Sequence, residues 1–158
     1  MIASKDRLRE DILSVLEAIR QDAGGRYACI LDARAILFEA PAPLPDEGVR
    51  LHRLLLEQRE ELFTIPRALA KGTEPKDVFA GWPADEFLLA FVNERVALVV
   101  ACPDAEGVRE KTLPHLEILA DRLLRLDERF RVDRQGRGLF FGRPRLDLIV
   151  IGGHGAQG

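Results

Sequence analysis

Two apolar runs, "EFLLAFV" (86–92) and "RVALVVAC" (95–102), stand on either side of Asn93-Glu94. Asparagine tolerates the positive φ that two-residue turns demand, so the pair predicts a β-hairpin. Neither run alternates apolar with polar residues, as a strand with one wet face would. Both faces of this hairpin therefore need cover. A chain built around it must place helices on each side of its sheet, which sets the expected fold class as α+β.

The rest of the chain offers those helices. Leu8, Ile12, Val15, Leu16 and Ile19 recur at helical spacing, predicting an amphipathic helix over residues 5 to 22. Ser4 is its expected N-cap, Asp6 suits its first turn, and Gly24 and Gly25 stop it. "RYACILDARAILFEA" (26–40) then reads as a second hairpin, turning near Asp32 to Arg34. The prolines of "PAPLP" (41–45) end it, because proline has no N–H to give a ladder. Asp46 is the expected cap of a helix over 47 to 62 with Leu51, Leu54, Leu55 and Leu62 as its apolar stripe. Residues 63 to 84, with three prolines and two glycines, predict irregular backbone with at most one short strand or helical turn. Pro103 and Asp104 open a last helix whose apolar face is Val108, Leu116, Leu119, Leu123 and Leu126. Pro114 within it predicts a kink or a fresh start, with Thr112 as the cap.

The inventory of reactive groups points away from catalysis. With 158 residues the chain suits one domain with a short appendage. His52, His115 and His154 lack the paired spacing of a metal site, so no metal is expected. There is no G-x-S-x-G elbow and no Walker A loop, and no cofactor is expected. Adjacent carboxylates such as Glu60-Glu61 point apart on a helix and do not converge on a substrate. Trp82, between Gly81 and Pro83, reads as a loop anchor against the core. Residues 122 to 145 hold eight arginines against Asp127, Glu128 and Asp133, although the whole chain carries a net charge of −3. That stretch reads as a solvated helix end and hairpin, and nucleic acid is not the expected partner. No apolar run approaches the ~20 residues of a membrane span, and the charged start has no signal-peptide core. Cys29 and Cys102 read as buried reduced thiols, so the expected setting is cytoplasmic.

The segments "LREDILSVLEAIRQDAGGRYACILDARAILFEA" and "DEFLLAFVNERVALVVACPDAEGVREKTLPHLEILADRLLRL" resemble the Roadblock (dynein light chain-like) family. The resemblance covers about residues 4 to 126, so residues 1–126 form the expected domain and 127–158 a C-terminal extension of strand, hairpin and tail. It implies a Roadblock/profilin-like sandwich: a central antiparallel sheet, the second helix on one face, the first and last helices on the other. It further implies a homodimer joined through the second helix and the edge strand, and a non-enzymatic scaffold or regulator of Ras-like small GTPases of the bacterial type. Carried onto this chain, the interface would comprise Arg50, Leu51, Arg53, Leu54, Leu55 and Gln58, with Arg59 at its border. A second resemblance, of the first helix with "RYACILDARAILFEA" and of "LPHLEILADRLLRLDERF", is to GAF domains. It implies a small-molecule sensor whose pocket is roofed by residues 63 to 84.

The chain closes on "RLDLIVIGGHGAQG" (145–158). Strand-then-glycine can cradle a phosphate, but no helix N-terminus follows Gly152 to Gly155 to add its dipole. The reading is instead a docking strand formed by Leu146, Leu148, Ile149, Val150 and Ile151. Its apolar side chains favour burial at ~25 cal/mol per Å², so it is expected to pair with a sheet edge of its own domain or of a partner.

Overall fold

Along the chain run α1 (Lys5–Asp22), β1 (Tyr27–Leu31), β2 (Ile36–Ala40), α2 (Asp46–Leu62), α3 (Ile65–Ala70), β3 (Phe87–Asn93), β4 (Val96–Ala101), α4 (Ala105–Leu126) and β5 (Ile149–Gly152). They come from a computed structural model, which describes residues 5–72, 87–93, 96–103, 105–126 and 149–152. Ser4, Trp82, Leu146, Leu148 and His154, and the arginine-rich stretch from residue 127 to 148, lie outside the described residues.

The strands form one sheet in the order β2-β1-β4-β3-β5, every neighbouring pair antiparallel. The fold is α+β, with helices on both faces. Strand alternation explains the layers. Ala28, Ile30, Leu88, Ala90, Val92, Val96, Leu98 and Val100 project to one face, where Ile12, Leu16 and Ile19 of α1 and Leu116, Leu119 and Leu123 of α4 cover them. Tyr27, Cys29, Leu31, Phe87, Leu89, Phe91, Ala97, Val99 and Ala101 project to the other, under Leu51, Leu55 and Leu62 of α2 and Ile65 of α3. Phe87 to Val92 and Val96 to Ala101 are at most 1% exposed. The doubly apolar hairpin is thus sandwiched, as its lack of alternation requires.

Both hairpins carry a register irregularity. Ile30 pairs with Phe38 and Leu31 with Ile36, leaving Leu37 as an extra residue on β2. Phe91 pairs with Ala97 and Asn93 with Val96, so Asn93, expected in the turn, is the last residue of β3. The first hairpin is closed by Asp32, whose Oδ1 accepts from the N–H groups of Arg34 at 2.8 Å and Ala35 at 2.9 Å. Where α1 ends, Gly24 sits at φ +64°, a conformation that costs glycine little. Gly25 passes so close to β4 that a Cβ there would lie 3.0 Å from the Ala101 carbonyl oxygen. Arg20 clamps this corner, donating from Nη1 to the Gly25 carbonyl at 2.9 Å and from Nε to Glu17 at 2.9 Å. Its hydrogen bond holds the Glu17 carboxyl below the ordinary carboxylate value.

Some local expectations change. Pro45, not Asp46, is the N-cap of α2, and no side chain caps it. Asp46 is already helical and acts with Glu47 as negative charge in the first turn, where the dipole favours it. The last helix neither stops nor restarts at Pro114: α4 is one element of 22 residues. Pro114 is exposed, and so is Glu110, whose carbonyl loses its helical donor and can turn to water. Thr112 is accordingly buried within the helix instead of capping a new one. In the proline-rich middle stretch, α3 supplies a helical turn, and Ile65 completes the floor of the α2 layer. Residues 73–86 lie outside the described residues. β5, beyond the domain boundary expected at residue 126, belongs to the same sheet as the rest.

Candidate functional site

The polar chemistry of the α2 layer follows from register. Tyr27 and Cys29 are two apart on β1 and therefore share a face, and Cys29 pairs directly with Glu39 of β2. Glu39 thus projects toward the side covered by α2. There its Oε2 accepts a hydrogen bond from the Tyr27 hydroxyl at 2.8 Å and lies 2.6 Å from Nδ1 of His52. An ionised carboxylate can only accept, so Nδ1 of His52 carries the proton in this contact. One oxygen atom therefore joins three elements: β1 through Tyr27, β2 through its own backbone, and α2 through His52.

Burial sets the reactivity of this group. Tyr27 and Cys29 are fully buried, whereas Glu39 and His52 are half-buried at the layer's margin. Burial pushes the Cys29 thiol up to about 12, with the nearby Glu39 charge adding to the effect and hydrogen bonding to Tyr27 opposing it. Burial likewise pushes the Tyr27 hydroxyl well above its ordinary value, and its neighbours Cys29 and Glu39 push it the same way. Both groups are protonated at neutral pH. A protonated, enclosed thiol is a poor nucleophile, so the arrangement ties α2 to the hairpin and offers no attacking group. Cys102 is also a buried thiol. Among the described residues, no three His, Cys, Asp or Glu side chains are arranged to hold a metal ion.

The face of α2 turned away from the sheet is different. Leu51, Leu55 and Leu62 are at most 1% exposed and belong to the core beneath. Leu51 and Leu55, both named in the expected interface, thus lie beneath α2 and not on its outward face. The same apolar stripe could have served a partner or the sheet, and the sheet has taken it. Of the other expected residues, Arg50 and Arg53 are exposed, while Leu54, Gln58 and Arg59 are half-buried. The outward face also carries Val49, 40% exposed, and half-buried Leu56, whose carbonyl accepts from Arg59. Val49 and Leu56 lie seven residues apart, two helical turns, which places them in one row with Arg53 between. Sequence periodicity could have found this row as the one apolar interruption of a charged face.

This helix lies over the β2 end of the sheet. Among the described residues β2 pairs with β1 alone, and its Ile36, Leu37 and Glu39 are half-buried. Arg26 reaches across from the start of β1 to Glu47 of α2 at 3.6 Å, a solvent-exposed ion pair of little energetic weight. At the far side of the molecule His115 of α4 lies 3.4 Å from Asp22 at the end of α1.

No family model, no curated protein and no solved structure matches this chain. No helix among the described residues is long and apolar enough to cross a membrane. Ile149, Val150 and Ile151 of the expected docking strand pair with Ala90, Leu89 and Leu88 of β3.

Proposed function

We infer that this chain is a non-enzymatic interaction module, a cytoplasmic homodimer that serves as scaffold or regulator of a Ras-like small GTPase of the bacterial type. The observation that carries the reading is the outward surface of α2, which lies over the β2 end of the described sheet. Val49 and Leu56 give it apolar area, Arg53 between them and the neighbouring Arg50 give it charge, and β2 is the end strand of the sheet among the described residues. Surfaces that mix exposed apolar side chains with arginine suit association between proteins. The layer order adds support, since it is the one implied by the resemblance of residues 4 to 126 to the Roadblock family. The polar groups nearest this surface speak for the same reading, because Tyr27, Glu39 and His52 are engaged with one another and Cys29 is enclosed.

Analytical ultracentrifugation of the full chain tests the dimer. The wild type is expected to sediment as a dimer and Val49→Asp as a monomer with an unchanged thermal midpoint. A wild type that stays monomeric across the micromolar range overturns it. The GTPase is tested with purified Ras-like GTPases of the source organism, loaded in turn with GDP and a non-hydrolysable GTP analogue. Binding that depends on the nucleotide and is lost in Arg53→Glu is expected; no binding in either state removes this partner.

A further inference from the structure

The charges on the outward face of α2 are sorted along the helix. Beyond the first turn come Arg50 and Arg53, then Glu57, Glu60 and Glu61, all of them exposed. At about 100° per residue, Val49, Arg50, Arg53, Glu57 and Glu60 fall within about 100° of arc. They look out together, away from the buried Leu51, Leu55 and Leu62. The order is one the helix itself disfavours. Glu60 and Glu61 stand in the last turn, at the negative end of the dipole. Arg53 and Glu57 are four apart with the base first, the weaker direction for a pair within a helix. Arg50, which has an interaction of its own, adds charge of the same sign as Arg53. The sorting is also symmetric. Arg53 and Glu57 lie two residues either side of Leu55, and Arg50 and Glu60 lie five. A two-fold axis crossing the helix at Leu55 exchanges these positions, so a second α2 laid antiparallel sets arginine against glutamate. Arg53 of each copy faces Glu57 of the other, and the Arg50 and Glu60 pairs lie outside them. Half-buried Leu56 stands one residue from the axis and gives apolar contact there. A parallel pairing would instead face arginine with arginine and glutamate with glutamate.

We propose that the outward face of α2 is a self-recognition surface, whose charge order admits a second copy of this chain in the antiparallel direction and rejects the parallel one. This rests on the reading of α2 as a dimer surface, and adds the orientation, the residues that fix it and the source of its selectivity. Exposed ion pairs carry little energy each. Val49 and Leu56 therefore give the contact, and the charges decide direction and partner. A helix of another protein that lacks this order meets like charges, and that repulsion excludes it.

Sedimentation of the full chain at low ionic strength tests it through a charge swap. Arg53→Glu and Glu57→Arg each place like charges at both central contacts, and each is expected to weaken self-association by about tenfold. The two single variants mixed together regain opposite pairs, as does one chain carrying both changes, and both should associate as the wild type does. Far-UV circular dichroism shows that each variant folds. Should a central variant fail to fold, the same swap at the outer pair, Arg50→Glu with Glu60→Arg, decides by the same criterion. A wild type that dimerises while the single variants dimerise equally well overturns the proposal and leaves the α2 dimer standing. So does a mixture that associates no more tightly than its components. A wild type that stays monomeric removes both.

Discussion

Leu55→Ala decides whether the leucines of α2 serve the core or a partner. Leu55 is fully buried in one cluster with Leu51, Leu62, Tyr27, Cys29 and Leu31. The substitution removes three carbons, worth about 2.4 kcal/mol at ~0.8 kcal/mol for each methylene returned to water. A cavity adds ~24 cal/mol for each Å³ that neighbours do not refill. Little refilling is expected from below, because β1 and β4 are paired on both sides and the sheet cannot rise. The sum is about 3–4 kcal/mol, within the usual ~2–5 kcal/mol range for such changes. Urea denaturation followed by far-UV circular dichroism should show the midpoint falling by roughly 1–3 M with an unchanged slope. Arg53→Ala, on the exposed face, should stay within about 0.5 kcal/mol of wild type. The reasoning fails if Leu55→Ala costs less than about 1 kcal/mol. It fails as well if the variant keeps its stability and loses self-association, because Leu55 would then face a partner.

Three further outcomes follow from the Glu39 group. The native chain keeps a proton on Cys29 up to about pH 12, while the unfolded thiol loses it above its ordinary 9.0, so the native state binds more protons between those values. Stability should therefore be level with respect to this group below pH 9 and fall as pH rises toward 12, with Tyr27 adding loss of the same sign above its ordinary 10.0. Urea midpoints measured from pH 8 to 11 check this, and a Cys29→Ala slope equal to that of wild type refutes it. Tyr27→Phe keeps the ring and removes the donor to Glu39, so a loss of about 1–3 kcal/mol is expected. In a double-mutant cycle with His52→Ala the two changes should couple by at least about 0.5 kcal/mol, because both donors share one oxygen; strict additivity would show they act separately.

Most elements were legible because their signals are local. Lys5–Asp22 and Asp46–Leu62 follow the 3.6-residue recurrence of their leucines and isoleucines, and both hairpins announce themselves by strand formers around short turns. The misses share a cause. Asp46 has the right chemistry for a cap, but a cap is defined by backbone angles that Pro45 adopts. Pro114 breaks helices whose freed carbonyl has no recourse, whereas here the affected turn is exposed. Glu39 drew no notice as a site residue because a lone carboxylate in "ILFEA" says nothing until Cys29 is known to stand opposite it.

The sequence by itself determined that this chain must sandwich an apolar hairpin between helices. That follows from side-chain solvation, since residues 87–92 and 96–101 have no face fit for water. It also determined that α2 carries an apolar stripe. Only the tertiary structure decided what the stripe meets, for a leucine is equally content against a sheet or a second protein. Strand order and register were decided there too: that Glu39 lies opposite Cys29 and beneath His52, and that β5 takes its place on β3. Periodicity sets which way each side chain points along its own element. Which elements become neighbours depends on pairing between residues far apart in the chain, and no local pattern encodes that choice.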